Sequence, residues 1–340
     1  MPEIHFSIVI VTWNAAELLK KFLPSVAETE YHHFEIVIAD NASDDETCDW
    51  IGSRFPDIKI VVFDRNYGYC GGNNRAVKYC NGDVIIFLNN DVKVDKHWLN
   101  PLNRAFHNPA LTIAQPKIKS YSKPDYFEYA GASGGFIDWL GYPYCRGRLF
   151  DTVEKDEAQY DDETEIFWAT GAAFAVRKEF FIKSGGFDET FKFHMEEIDL
   201  CWRCHHSGGV VKVIPDSEVY HLGGGSLHTG SPRKTYYNFR NSLLMLTKNL
   251  DRYLLPKLIT RLCLDGISGI RSLLLGRPAE TYAIIKAHFG FYRRLPKIIP
   301  QRIREKRNRK QRVPEKLIRN KLIIVDYFLK RIKTFTEINR

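Results

Sequence analysis

No apolar run in this 340-residue chain approaches the roughly 20 residues that a helix needs to cross a bilayer, so a membrane-spanning helix is not expected. A secretory leader is not expected either, because Met1 to His5 leads directly into a strand-like run. The seven cysteines are odd in number and lack the regular spacing of a disulfide framework, which suits a reducing compartment. Internal repeats are absent. The expected location is the cytoplasm.

Acidic charge is short only at one end. Residues 292 to 340 carry 17 Lys/Arg against 4 Asp/Glu, so the formal net charge of +8 belongs to the tail and the first 291 residues sum to about −5. A basic run such as Arg302-Ile-Arg-Glu-Lys-Arg-Asn-Arg-Lys-Gln-Arg312 suits RNA, an anionic membrane face or plain solvent. Motifs of nucleic-acid recognition do not accompany it, and no nucleic-acid partner is expected.

What is present is an α/β alternation. Candidate strands are Phe6 to Thr12, Phe34 to Ala39, Ile58 to Phe63 and Val84 to Leu88, with helices near Ala15 to Ala27, Asp45 to Phe55 and Gly72 to Cys80. This is half of a doubly wound parallel sheet, and its ligands should gather beyond the strand C-termini. Residues 110 to 170 are irregular, aromatic and Gly-rich, as expected of an inserted, substrate-shaping region. A strand to Val176, a helix from Lys178, a helical stretch over Phe193 to His206 and a strand at Val210 to Ile214 follow. From Tyr236 onward leucines recur at three- and four-residue spacing. We therefore expect a catalytic unit over 1–232 and a helical, basic region over 233–340. In that region apolar residues mix with Arg and Lys, as in Ile270-Arg-Ser-Leu-Leu-Leu-Gly276, and the helices either lie on lipid or pack on the catalytic unit.

The strongest chemical signal is Asp83-Val-Ile-Ile-Phe-Leu-Asn-Asn-Asp91, a buried-type strand that ends on two amides and a carboxylate. Asp40, at the tip of the second strand, is placed to accept the imide N–H of uracil or thymine, with Asn41 and Ser43 shaping the turn. The three glycines of Asn66-Tyr-Gly68-Tyr-Cys-Gly71-Gly72-Asn73-Asn74 allow close backbone approach to a phosphate, although the strict dinucleotide fingerprint is missing. Glu196, Glu197 and Asp199 form an acidic cluster from which one member is a candidate general base. His221 is a candidate metal ligand, and the glycines after it could let a loop close over a ligand. Cys201-Trp-Arg-Cys204-His205 spells a c-type haem attachment, but that reading needs an exported chain and a zinc site needs two further ligands.

Taken in order, these blocks resemble family 2 glycosyltransferases of the GT-A fold, and among them the rhamnosyltransferase-like bacterial enzymes of surface polysaccharides. The blocks are Ser7-Ile-Val-Ile-Val-Thr12-Trp-Asn14, Asp40-Asn-Ala-Ser-Asp44, Asn66 to Asn74, Leu88-Asn-Asn-Asp91, Gly171-Ala-Ala, Glu196 to Arg203 and His221-Leu-Gly-Gly-Gly-Ser226. The resemblance implies a Rossmann-like, nucleotide-binding mixed sheet flanked by helices, with a helical C-terminal extension. It implies a nucleotide-sugar pocket of Thr12, Asn14, Asp40, Asn41, Asn66, Gly68, Gly72, Asn73 and Asn90. Asn89, Asn90 and Asp91 stand at the family's Asp-x-Asp, and Asp91 with Asn89 and His221 would hold Mg²⁺ or Mn²⁺. Asn89 replaces the motif's first Asp and leaves less negative charge for the cation. Glu196 and Glu197 match the acidic pair whose second member is the base of a single inverting displacement. The implied donor is dTDP-rhamnose or a UDP-sugar, and the implied acceptor a glycan or polyprenyl-linked glycan met at the inner face of the cell membrane. A nucleotidyltransferase is the rival enzyme, but its phosphate loop would follow the first strand, where this chain has Thr12-Trp13-Asn14.

Overall fold

The computed structural model describes residues 3–223 and 231–338. Its chain order is β1 (Phe6–Thr12), α1 (Ala16–Ala27), β2 (Phe34–Asp40), α2 (Thr47–Arg54), β3 (Lys59–Val62), α3 (Gly68–Ala76), β4 (Val84–Leu88), β5 (Val92–Val94), α4 (Leu99–Phe106) and β6 (Leu111–Ser120). A small second sheet follows, made of β7 (Gly135–Asp138), β8 (Pro143–Cys145), β9 (Arg148–Leu149) and β10 (Thr152–Val153). Then come β11 (Thr164–Glu165), β12 (Ala173–Arg177), α5 (Lys178–Lys183), α6 (Glu196–Ser207) and β13 (Val210–His221). Helices α7 (Pro232–Asn249), α8 (Leu254–Leu274), α9 (Pro278–Tyr292) and α10 (Leu295–Asn308) lead to a short strand β14 (Ile318–Arg319).

The main sheet runs β11-β13-β6-β12-β4-β1-β2-β3, with β5 paired to β13. Strands β3, β2, β1 and β4 are mutually parallel, as their short, apolar, β-branched runs predict, while β12 lies antiparallel to β4 and opens the mixed half. Alternation splits each central strand between two cores. In β4, Val84, Ile86 and Leu88 join Leu19, Leu23, Trp98 and Leu102 on one face, whereas Ile85 and Phe87 join Phe174, Phe181 and Trp202 on the other. All are essentially buried, each contributing on the order of 1.5–3 kcal/mol.

The structure departs from expectation in one place. Leu111–Ser120, inside the stretch read as an insertion, is a strand of the main sheet between β13 and β12. Of the two placements open to the helical region, packing on the catalytic unit holds for α7 and β14. Leu243, Leu244, Met245 and Leu246 of α7 lie in the same core as Ile198 and Trp202 of α6, and β14 pairs in parallel with β7 in the second sheet. Arg302 donates to the Thr247 carbonyl at 2.8 Å and Arg309 to that of Asn249 at 3.1 Å, so part of the basic run satisfies the carbonyl end of α7.

Candidate active site

Pairing of β1 with β2 and β4 brings three strand tips together. Thr12 is in register with Asp40, and its carbonyl accepts the Asn41 N–H at 2.8 Å. Asn90 Nδ2 reaches Thr12 Oγ1 at 3.4 Å. Asn14, in a left-handed conformation at φ 46°, holds the next loop by pairing its amide with Asp44. Asn41 uses its side-chain oxygen on the Tyr67 N–H at 3.2 Å and its amide on the Gly68 carbonyl at 3.3 Å, which ties β2 to the start of α3.

The glycine block is close-packed for a visible reason. A Cβ on Gly72 would lie 2.8 Å from Val11 Cγ1 and 3.1 Å from Asn41 Nδ2, so only glycine lets α3 sit against the β1 and β2 tips. Gly68 adopts φ 70°, and its N–H is held by Asn66 Oδ1 at 2.8 Å. Asn73 is turned inward to the Tyr69 carbonyl and is a helix-internal residue rather than an open donor to a ligand. Asp40 is fully buried, and both its oxygens accept from Ser43, from the backbone N–H and from Oγ–H. Its work in this arrangement is to close the turn at Ala42, which has φ 60°. Contact with a base therefore requires the 41–44 loop to shift.

The second part of the site lies at the end of β4. Asp91 Oδ1 is 3.1 Å from His221 Nε2, and Asn89 Nδ2 is 3.4 Å from the same nitrogen. On the other side of the ring, Nδ1 lies 3.3 Å from Glu128 Oε2. Glu128 is carried by the segment after β6 and was not singled out from the sequence, where it is one acid among aromatics. Burial by itself would lower the His221 pKa, but hydrogen bonds to Asp91 and Glu128 outweigh it and push the imidazole up to about 10. At that value the ring itself carries the positive charge that the two nearly buried carboxylates favour, and it would have to give up a proton to act as a ligand. No group of three His, Cys, Asp or Glu among the described residues is arranged to hold a metal ion, so Mg²⁺ or Mn²⁺ would rest on Asp91 and a deprotonated His221, with its remaining positions left to ligand oxygens and water. The glycines after Gly223, and His228 with them, lie outside the described residues.

The third part is the acidic pair. Lys192, His194 and Met195 adopt φ of 65°, 63° and 77°, an accumulation of left-handed residues that costs energy unless the surroundings hold it. Helix α7 does so. Asn241 Nδ2 donates to the carbonyls of Phe191, Phe193 and His194 at 2.6–2.9 Å, and Arg240 adds bonds to those of Thr190 and Phe191. The turn delivers Glu196 and Glu197 as the first residues of α6, each with one buried carboxylate oxygen that has no hydrogen-bond partner among the described residues. Burial raises the Glu197 pKa to about 7 against the pull of the N–H groups of Met195, Glu197 and Ile198. Glu196 is pushed higher, first by burial and then by the neighbouring Glu197 charge. The environment therefore disfavours the charge on Glu196 more than that on Glu197, and the two titrate as a pair.

Asp199 does not join them. It is completely buried and accepts from Arg203 Nε at 2.9 Å, Lys248 Nζ at 2.9 Å and Asn249 Nδ2 at 2.7 Å, so its carboxylate is committed to tying α6 to α7. The haem-like spelling is likewise core: Cys201 and Cys204 are buried, and His205 bonds the Phe167 carbonyl at 2.9 Å.

A short segment joins the second and third parts. Ala172 accepts from the Asn89 N–H at 2.9 Å, and Gly171 accepts from Tyr69 Oη at 2.8 Å. The charges of Glu196 and Glu197 act on the Tyr69 phenol, which burial pushes well above its usual range. Lys234, near the start of α7, and Arg148 both lie over the Tyr129 ring, at 5.4 Å and 4.4 Å from its centroid, next to Glu128. Sequence reading missed Tyr69, Tyr129, Arg148 and Lys234, whose common location is set by tertiary contacts alone.

The family model described as glycosyl transferase family 2 matches residues 7–184. The N-acetylglucosaminyl-diphospho-decaprenol L-rhamnosyltransferase of Mycobacterium tuberculosis is 27% identical over 233 residues, covering 63% of this chain and 75% of that protein. The dTDP-rhamnosyl transferase RfbF of Shigella flexneri is 24% identical over 255 residues, covering 71% and 79%. Among solved structures, GalNAc-T7 with UDP, GalNAc and Mn²⁺ superposes with a TM-score of 0.57 at 18% identity, covering 72% of this chain and 48% of that one. S. aureus TarS with UDP-GlcNAc superposes with a TM-score of 0.54 at 16% identity, covering 89% and 91%. These superpositions, with the curled mixed sheet and flanking helices, show the GT-A fold.

Proposed function

Because this chain belongs to glycosyl transferase family 2 and is rhamnosyltransferase-like, we propose that it moves a hexosyl group from a pyrimidine nucleotide sugar to a glycan hydroxyl, with inversion, in polysaccharide assembly. The observation that carries the reading is the acidic pair of α6, buried Glu196 and partly buried Glu197, each with one carboxylate oxygen that has no hydrogen-bond partner among the described residues, on a turn that α7 holds in a strained shape. A structural carboxylate would be paired, as Asp199 is; an unpaired one with a pKa near 7 suits proton transfer.

In the reaction Glu197 takes the proton of the acceptor hydroxyl as that oxygen bonds to the anomeric carbon and the bond from that carbon to the diphosphate oxygen breaks. Burial and the Glu197 charge both disfavour a second negative charge on Glu196, beside the base. Thr12, Asn14, Asn41, Asn66, Gly68, Gly72 and Asn90 shape the nucleotide side, and the 41–44 loop shifts to let Asp40 meet the base. Asp91 and His221, with Asn89 beside them, would hold Mg²⁺ or Mn²⁺, which supplies positive charge to the departing diphosphate. Glu128 fixes the imidazole orientation and returns to the site the negative charge that Asn89 withholds.

The names of the relatives support dTDP-rhamnose as donor and a polyprenyl-linked glycan as acceptor. A lipid-linked acceptor of that kind would have the enzyme work peripherally at the inner face of the membrane. The catalytic unit of 1–232 then works together with α7, whose Asn241 and Arg240 complete the site.

The test is nucleoside-diphosphate release and thermal shift over a panel of nucleotide sugars, with Mg²⁺ or Mn²⁺ and then EDTA. Metal-dependent stabilisation by one pyrimidine nucleotide sugar is the expected result. Silence across the panel in a folded protein would refute the Asp91/His221 site.

A further inference from the structure

Helix α8 packs Leu254, Leu258 and Leu262 on the core and yet carries a second apolar face in solvent. Its buried positions are Lys257, Arg261, Asp265, Gly269 and Ser272, while Leu255, Ile259, Ile267, Ile270 and Leu274 lie along the opposite side in solvent, Leu274 with 82% of its surface open. The inward polarity has a structural cause. Lys257 Nζ donates to the Trp139 carbonyl, Arg261 to the Leu140 carbonyl at 3.0 Å and to Ser242 Oγ at 2.7 Å, and Asp265 meets His288 at 3.3 Å. The outward apolarity has no such cause among the described residues. Helix α9, joined to α8 through Thr281 Oγ1 on the Gly269 carbonyl, continues the exposed surface with Tyr282, Ile285, Phe289 and Tyr292 at three- and four-residue spacing.

Charge identifies what covers this surface. Between residues 252 and 312 no Asp or Glu is exposed, whereas Arg252, Arg271, Arg277, Lys286, Arg293 and Lys297 all are. A two-fold contact between copies of this chain would bring that single-sign fringe against itself. An anionic surface complements it, and a flat apolar face fringed by cations, with tyrosines among the apolar residues, matches the chemistry of a bilayer interface. No helix of the described residues is long and apolar enough to cross a membrane, so contact is from one side.

We propose that the outer face of α8 and α9 is a docking surface for an anionic phospholipid bilayer, with the apolar side chains entering the headgroup region and the Arg/Lys fringe meeting lipid phosphates. The basic run at 302–312 is then secondary, since Arg302 and Arg309 are spent on the end of α7. The inference rests on the proposed function only for its purpose, which is to bring the site to a lipid-linked acceptor.

The test uses the full chain with vesicles of phosphatidylcholine alone or with 30 mol % phosphatidylglycerol, read by flotation in low and high salt. Sedimentation velocity without lipid and nucleoside-diphosphate release with a soluble acceptor serve as controls. Wild-type protein should float with the anionic vesicles and be released by salt. The double variant Ile267→Asp/Leu274→Asp should lose roughly tenfold or more of its partitioning, and Lys286→Glu/Arg293→Glu on the order of fivefold per residue. Both should keep wild-type melting and soluble-acceptor turnover, since they alter exposed positions remote from the acidic pair. Equal flotation of wild type and variants overturns the proposal. So does a lipid-free dimer that Ile267→Asp/Leu274→Asp dissociates while vesicles bind neither form, because a second copy then covers the face. Loss of turnover on every donor with vesicle binding intact would refute the transferase reading and leave this surface standing.

Discussion

Replacing Glu197 by Gln preserves volume and shape and removes only the group that accepts a proton. The structure sets the size of the effect. Burial lifts the Glu197 pKa to about 7, where a carboxylate is both substantially ionised and a stronger base than one in water. A positioned base of this kind contributes about 10² to 10⁴ in rate. Glu197→Gln should therefore lower kcat by that factor while calorimetry shows donor affinity within about twofold, if the donor meets the strand tips as proposed rather than α6. The pH profile supplies a second reading. The wild-type kcat/KM should rise through a midpoint near 7, since the base works deprotonated, and the residual activity of Glu197→Gln should lack that limb. The companion Glu196→Gln makes the opposite case: burial and the Glu197 charge already disfavour a charge on Glu196, an amide supplies a neutral group of the same shape, and its kcat should stay within about tenfold. Near-wild-type transfer by Glu197→Gln together with collapse in Glu196→Gln would refute the assignment and make Glu196 the base.

Glu128→Gln should weaken Mn²⁺ binding, measured by electron paramagnetic resonance titration of the donor-free protein, by about 10–100-fold with little change in melting temperature. Unchanged affinity would separate Glu128 from the metal site. Lys248→Met leaves Asp188 and Asp199 buried without their shared ammonium, 2.8 Å and 2.9 Å away, and should cost about 3–5 kcal/mol in denaturant unfolding. Two buried histidines should draw stability down in acid. His194 and His205, whose pKa values burial lowers to about 4, are neutral in the folded chain and ready to protonate below about 6.5 when unfolded. Their contribution is complete above that value and is lost as pH falls towards 4, by about 3 kcal/mol each, against the opposite trend of Glu196 and Glu197, whose raised pKa values favour the folded chain at low pH; His205→Gln should therefore lose less stability than wild type between pH 7.5 and 4.5 in chemical denaturation.

Much of the fold is written locally. Strands β1 and β4 appear at the residues their apolar runs mark, because a strand buried on both faces needs an unbroken run of that length. The stretch 110–170 misled for a physical reason. Strand β6 carries Gln115, Pro116 and Lys117 in its middle, and these become acceptable in a sheet only because Gln115 bonds Thr170 and Lys117 meets Asp156, Asp161 and Glu218. Those partners are distant in sequence.

The sequence by itself determined which residues stand at the strand tips and that an acidic pair opens α6, since both follow from periodicity and from the order of the blocks. Tertiary structure alone decided which members of each cluster are free to act. Asp199 and Glu197 are two residues apart in one helix, yet one is locked by Lys248, Arg203 and Asn249 and the other has a carboxylate oxygen without a partner among the described residues. Only packing placed Glu128 against His221, put Asn241 under the left-handed turn and faced the polar side of α8 inward. A carboxylate's pKa, a turn's strain and a helix's orientation depend on what lies across the fold, and local pattern carries no record of that.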